Sequence, residues 1–349
     1  MESPNLQQAD TRLALLHDWL KTLPPELGAQ PDSLRPASSD ASFRRYFRID
    51  LHDSTGIIMD APPEREDCRP FLHVGQRLQE TGLRVPQILA RNLEQGFLLM
   101  SDLGAQTFYQ ALQQGLDAIQ LQALYRPALH ALVRMQQARC DDLPAYDAAR
   151  LVDELSVFRE WYVEKHCGAT LSEAEEAALT TVFATLAADN AAQPVVLVHR
   201  DYHSPNLMLP ETPGGEPGII DFQDAVAGPI TYDIASLVAD ARHTWEEDQQ
   251  LDWAIRYWEM ARAAGLPVNE AFADFHRAYE WMSLQRNLRV LGVFVRLSLR
   301  DGKHHYLDHL PRVNAYVRQV AERYGQFRPL LRLLNRLDGV QPANPLAPI

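Results

Sequence analysis

The stretch VVLVHRDYHSPNLML, residues 195–209, ends an apolar run at His199-Arg200-Asp201, and an amide, Asn206, follows five residues after the carboxylate. Fifteen residues beyond Asn206, GIIDFQD closes a second apolar run on Asp221. Two carboxylates and an amide, each delivered at the end of a short buried strand, suit one kind of chemistry. One carboxylate can take the proton of an attacking hydroxyl as a general base. The other, with the amide oxygen, can hold Mg²⁺, a hard cation that commonly takes one or two protein ligands and fills its shell with phosphate oxygens and water. Phosphoryl transfer from a nucleotide needs those parts and little covalent chemistry from the protein.

Written as a pattern, HRDYHSPN is the H-R-D-x-x-x-x-N of a kinase catalytic loop, with Asp201 as base and Asn206 as metal ligand. Asp221 then stands where the D-F-G of that pattern keeps its metal-binding Asp. Plainer readings compete. A zinc pair in HRDYH is disfavoured because Pro205 opposes a helix and no Glu stands at the expected place. A mere turn cap at Asp201 and Asn206 leaves Asp221 unexplained. Asp224 reads equally as a group supporting the site or as a turn residue. Asp233, two residues after Thr231 at an expected helix start, reads as a cap.

The departures from the protein-kinase pattern are informative. No G-x-G-x-x-G appears; the equivalent place holds SSDASFRRYF, whose small residues up to Ser42 would let backbone amides approach phosphates. Met59 occupies the position of the strand Lys that pairs with phosphates, and Gln223 replaces the Gly of D-F-G. Arg44, sharing a strand face with Tyr46 and Arg48, is the expected replacement cation; a solvated strand edge is the alternative. Only about ten residues separate Asp221 from the helix start at Thr231, too few for a peptide-binding activation loop. The acceptor is therefore expected to be a small molecule. A P-loop is excluded, because G-x-x-x-x-G-K-[ST] occurs nowhere.

Hydrophobic spacing supplies the elements that must position these residues. A helix is expected over residues 12–21. Alternation in SFRRYFRIDL and the short run GIIMDAPP predict two strands, CRPFLHVGQRLQETG a helix, and RVPQILARNLEQGFLLM two strands around a turn. The order to Met100 is helix, strand, strand, helix, strand, strand. Helices follow over residues 118–138, 150–166 and 172–190, the last opened by a Ser172/Glu175 capping box. Strand pieces return over 195–220, and everything from Thr231 reads as helix. The fold class is α+β: a small β-rich lobe, residues 1–101, joined through 101–104 to a larger, mostly helical lobe, residues 102–349.

Composition narrows the partners. With 46 acidic against 33 basic residues and a formal charge of −13 over 349 residues, a general nucleic-acid or anionic-membrane surface is excluded. No run reaches the roughly 20 apolar residues of a membrane span, and the N-terminus lacks a signal-peptide pattern; a cytoplasmic protein is expected. Cys68, Cys140 and Cys167 are odd in number and far apart, so no disulfide framework is suggested.

The segments VHRDYHSPNLML and GIIDFQDAVAGPITYDIASL resemble the aminoglycoside-phosphotransferase superfamily of small-molecule kinases. SSDASFRRYFRI, IIMDAPPEREDCRPF and WMSLQRNLRVLGVFVRL resemble, more narrowly, the bacterial anomeric sugar kinases of N-acetylmuramate and N-acetylglucosamine. The resemblance spans most of the chain. It implies a protein-kinase-like bilobal fold, with ATP in the cleft and its adenine against a hinge at Met100, Asp102 and Leu103. It also implies transfer to the sugar C1 hydroxyl in peptidoglycan recycling, with Asp201 as base and Asn206 and Asp221 on Mg²⁺. Ser42 and Arg44 are assigned to the nucleotide, and His203 and Asp224 to the sugar. Arg286, Arg289, Arg296 and Arg300, spaced 3, 7 and 4 apart, fall on one helix face. Its first two members are assigned to the carboxylate of the acid sugar, the alternative being a solvated face. No protein partner is implied. Two alternatives remain open: a kinase of another small molecule, such as an aminoglycoside, choline or homoserine, or a nucleotide-binding regulator without catalysis.

Overall fold

The computed structural model describes residues 4–38 and 43–339. Helix α1 (Pro4–Lys21) lays Leu16, Trp19 and Leu20 on one face of a five-stranded antiparallel sheet, against Ile49, Ile58, Phe97 and Leu99. The strands are β1 (Gln30–Ser38), β2 (Arg45–Asp50), β3 (Thr55–Asp60), β4 (Ile88–Asn92) and β5 (Phe97–Ser101), in the order β1-β2-β3-β5-β4. Helix α2 (Arg69–Glu80) joins β3 to β4 and covers the opposite face. Strand alternation sorts β3 accordingly: Ile58 points towards α1, whereas Ile57 and Met59 point towards α2. The buried thioether of Met59 thus packs where a kinase would keep its Lys.

Strand β1 was not expected from sequence. Its segment, QPDSLRPAS, holds Pro31 and Pro36, which cannot donate to a ladder; both are tolerated because β1 lies at the sheet edge and its pairing with β2 is broken by two register shifts.

Beyond the sheet the chain is mostly helical: α3 (Phe108–Gln113), α4 (Ala118–Gln136), α5 (Ala148–Val157) and α6 (Glu173–Ala191). The short α3, also unexpected, is opened by a Thr107/Gln110 capping box, and the Ser172/Glu175 box opens α6 as its spacing predicts. The helix expected over 150–166 is instead α5 followed by a π-helical stretch, Phe158–His166. Two small hairpins come next. Strand β6 (Val195–Val198) pairs with β9 (Val226–Pro229), and β7 (Leu207–Met208) pairs with β8 (Gly218–Ile219). Helices α7 (Tyr232–Val238), α8 (Glu247–Ala263), α9 (Phe272–Asp301), α10 (Leu310–Arg323) and α11 (Arg328–Leu337) complete the fold. The 30-residue α9 runs through the core. At Gly292 it lies so close to α5 that an added Cβ would come within 2.3 Å of the Val157 carbonyl oxygen. This close approach packs α9 tightly against the end of α5 and the π-helical stretch that follows.

Candidate active site

Both motifs lie just past the ends of hairpin strands. Asp201 follows β6, and Asn206 and Asp221 flank the β7–β8 pair. The Asn206 side-chain amide donates to the Asp201 carbonyl at 2.9 Å and approaches Asp221 Oδ2 at 3.4 Å. The nitrogen of Asn206 is thereby occupied, which leaves its oxygen as the atom available to a cation. An amide oxygen beside a carboxylate fits a hard divalent ion that completes its shell from phosphates and water. The Gln223 amide donates to Asp221 Oδ1 at 2.8 Å, so the residue that replaces the Gly of D-F-G helps orient the carboxylate. Asp224, exposed, receives a 3.3 Å bond from the same amide.

The loop carrying Asp201 is held from behind by buried carboxylates. His199 N–H donates to Asp233 Oδ2 at 2.7 Å and Arg200 N–H to Asp233 Oδ1 at 3.0 Å. Asp233 is therefore not a cap of α7, as its sequence position suggests; Thr231 makes no side-chain cap there either. Burial pushes the Asp233 carboxyl up to about 6, against the stabilising His199 and Arg200 amides. Asp240 does the same for the next turn, accepting from Ser204 N–H at 3.1 Å and from the Ser204 hydroxyl. His199 couples the motifs. Its Nε2 donates to the Ile220 carbonyl at 3.0 Å while its Nδ1 accepts from Asp201 N–H at 3.3 Å, which one neutral tautomer satisfies. Phe222 stacks on Phe71 of α2 at 4.7 Å and pins the second motif beneath the sheet lobe. Arg200 (φ 74°) and Asp221 (φ 64°) both adopt the left-handed region, which costs non-glycine residues strain and clusters at functional sites.

Asp201 is half-buried, its side chain 38% accessible. Burial opposes its charge, yet the hydrogen bond and charge of His203, with Arg289 and Arg286, hold it well below the usual carboxylate range. His203 Nε2 lies 3.6 Å from Asp201 Oδ1. Burial and the charge of Arg242 pull the His203 imidazole down, against Asp201 and Asp240. From α9, Arg289 Nε pairs with Glu154 Oε2 at 3.2 Å, and Glu154 Oε1 also accepts from Arg200 at 2.7 Å.

A cleft of about 350 Å³ opens between the sheet and the hairpins. Ile57 and Met100 line one side and Met208 and Ile220 the other, with Asn206 and Asp221 at its inner end. Met100, Asp102 and Leu103 all border it. The Asp102 carboxylate is committed within the hinge: Arg48 donates through Nε at 2.5 Å and Nη2 at 3.1 Å, Thr55 at 2.7 Å and Gly104 N–H at 2.9 Å. A nucleotide here would therefore meet the Asp102 backbone. Arg44, just ahead of β2, bonds Glu66 at 3.1 Å and lies 3.9 Å from Asp221 Oδ1. Burial opposes its charge, but Tyr46 and Glu66 raise the guanidinium further above its ordinary value. It forms an Arg–Glu pair beside Asp221. Ser42 lies outside the described residues.

The structure thus brings Arg44, Asp201, His203, Asn206 and Asp221 together, with Arg289 joined to Arg200 through Glu154 and Arg286 one turn earlier on α9. Sequence reasoning missed Glu66, Glu154 and the loop-holding roles of Asp233 and Asp240. The last two carry a signal, being carboxylates seven residues apart in the otherwise apolar run TYDIASLVAD. Glu66 and Glu154 carry none.

Sheet lobe, helical lobe and an intervening cleft with Asn206 and Asp221 at its inner end define a phosphotransferase of the kinase fold. Residues 33–275 match the model of the Phosphotransferase enzyme family, and the chain belongs to that family. It is 44% identical over 326 residues to an N-acetylmuramate/N-acetylglucosamine kinase of Neisseria meningitidis, covering 93% of this chain and 95% of that one. A protein of the same name from Pseudomonas aeruginosa is 43% identical over 336 residues, 94% and 97% of the two chains. Among solved structures, ADP-bound aminoglycoside phosphotransferase APH(2'')-Ib superposes with a TM-score of 0.56 at 13% identity, over 88% of this chain and 97% of that one. A choline/ethanolamine kinase family protein from Mesorhizobium loti gives 0.60 at 12%, over 93% and 99%. The fold is therefore the small-molecule-kinase variant of the bilobal kinase architecture.

Proposed function

We propose that the chain transfers the γ-phosphoryl group of ATP to the C1 hydroxyl of N-acetylmuramate and N-acetylglucosamine, releasing ADP and a sugar 1-phosphate. The observation that carries this reading is the convergence of Asp201, Asn206 and Asp221, in a chain more than 40% identical over most of its length to kinases named for those two sugars. Asp201, held ionised, accepts the proton of the attacking hydroxyl. A hemiacetal hydroxyl is more acidic than an ordinary alcohol and suits so weak a base. Asn206 and Asp221 would hold Mg²⁺, which when bound neutralises charge on the phosphates. Arg44 supplies the cation that Met59 does not. Adenine lies between Ile57 and Met208, against the backbone at Met100–Leu103, and His203 and Asp224 face the sugar side. The lobes divide as residues 1–101 and 102–349, a boundary supported by the end of β5 at Ser101. Dependence on ATP makes the cytoplasm the proposed compartment, and return of cell-wall amino sugars to biosynthesis the proposed role.

The formal charge of −13 favours a different acceptor, a cation such as choline or an aminoglycoside. The guanidinia of Arg286 and Arg289 beside Asp201 oppose it, because they repel a cation at the point of transfer. Phosphorus NMR of the product decides: an anomeric phosphate from either sugar supports the proposal. Phosphorylation of choline or kanamycin with neither sugar consumed overturns it.

A further inference from the structure

The arginines that face Asp201 from α9 are not equivalent. Arg289 has a carboxylate partner in Glu154, which also holds Arg200. Arg286, one turn earlier, is 3% exposed, and among the described residues neither its Nε nor its Nη1 has a hydrogen-bond partner and no carboxylate pairs with it. A guanidinium cannot shed its proton to escape burial, and leaving a buried charge without a partner is among the most destabilising arrangements a fold can hold. Glu154 serves both Arg200 and Arg289 and does not pair with Arg286. Arg286 stands one helical turn from Arg289, whose partner Glu154 also holds Arg200, the residue immediately before Asp201, so it lies on the side of the loop that carries Asp201. Tyr232 lies within reach of the Arg286 charge, and its buried hydroxyl also has no partner among the described residues. A planar cation fork with a neutral donor beside it is the donor set for a carboxylate.

Resting on the proposed function, we propose that Arg286, with the Tyr232 hydroxyl, forms a carboxylate subsite that binds the lactyl group of N-acetylmuramate. The two sugars differ by that group alone, so Arg286 sets the preference between them. N-acetylglucosamine occupies the same pocket without using the subsite, so removing Arg286 costs N-acetylmuramate more than N-acetylglucosamine.

The test compares steady-state constants for both sugars in the wild type, Arg286→Met and Arg286→Lys. A hydrogen bond to a charged group is strong enough that its loss corresponds to roughly 10- to 100-fold in affinity. Arg286→Met is expected to lower the ratio of kcat/KM for N-acetylmuramate to kcat/KM for N-acetylglucosamine by that factor, mainly through the N-acetylmuramate KM, while any loss shared by both sugars reports its effect on Asp201. Arg286→Lys, keeping charge but not the fork, should fall between. Arg286→Met should melt no lower than wild type, since it removes an unpaired buried charge. Equal losses on both sugars, or no loss on either, overturn the subsite while leaving the proposed function standing. If the wild type consumes neither sugar, the proposed function falls and the subsite with it.

Discussion

Asp233→Asn separates holding the catalytic loop from holding the fold. The carboxylate accepts two buried amides, from His199 and Arg200, the residues immediately ahead of Asp201. Asparagine is isosteric but accepts through one atom only; its NH₂ faces the other amide donor to donor. The lost charge-assisted bond costs about 1.5–3 kcal/mol and the orphaned amide about 1–3 kcal/mol. Against this, burial raises the Asp233 pKa from the usual 3.8 to about 6. At about 1.36 kcal/mol per unit, ionising Asp233 at neutral pH costs roughly 3 kcal/mol, which Asn avoids. The terms nearly offset, so stability at neutral pH should fall by no more than about 3 kcal/mol. Turnover should fall more, because the mismatched peptide moves Asp201 and a displacement of about 1 Å can cost roughly 100-fold. Steady-state kinetics should show kcat down about 30- to 100-fold with both KM values within about threefold. Stability against pH provides a second check. A carboxyl whose folded pKa lies above its unfolded value stabilises most when protonated; that contribution is full below about 3.8 and is lost as pH rises through about 6. Wild-type stability relative to Asp233→Asn should therefore decline by about 1 kcal/mol from about pH 5 to about pH 7.5. Taking the difference cancels His203, His243 and His309, whose pKa values burial pulls down and whose contributions are instead lost as pH falls. A variant with kcat within a factor of about three of wild type would refute the loop-holding role. A relative stability that rises with pH would refute the ionisation argument.

Asp201→Asn should bind nucleotide normally and lose turnover by about 10²–10⁴-fold, towards the lower end for an acidic anomeric hydroxyl; more than about a third of wild-type turnover would remove it as the base. Asp221→Ala should stay inactive at any Mg²⁺ concentration, whereas Asn206→Ala should recover partly at high Mg²⁺, because a charged ligand contributes more to a hard cation than an amide does. A magnesium titration showing equal, unrescued losses would contradict that ranking. Arg44→Ala should raise the KM for ATP about tenfold or more, the value of one hydrogen bond to a charged group, and leave the sugar KM nearly unchanged; an unaltered ATP KM would return Arg44 to a purely structural pairing with Glu66.

The sequence alone singled out Asp201, Asn206 and Asp221 as candidates, because the catalytic-loop pattern sets them at fixed intervals beside short strands, and such intervals are local in the chain. It also determined the capping box that opens α6 and most of the sheet, since caps and alternation act over a few residues. Strand β1 was hidden because its prolines argue against a ladder, and only its place at the sheet edge makes them harmless. Asp233 read as a helix cap because its partners, His199 and Arg200, lie more than thirty residues away and come within bonding distance only in the folded chain. The four arginines of α9 looked alike on one face. Tertiary packing alone brought Glu154 of α5 to Arg289, left Arg300 exposed beside Asp301, and buried Arg286 with neither Nε nor Nη1 hydrogen-bonded among the described residues. Charge and spacing are written residue by residue, but the partner that neutralises a charge, or fails to, is set by which distant element packs against it.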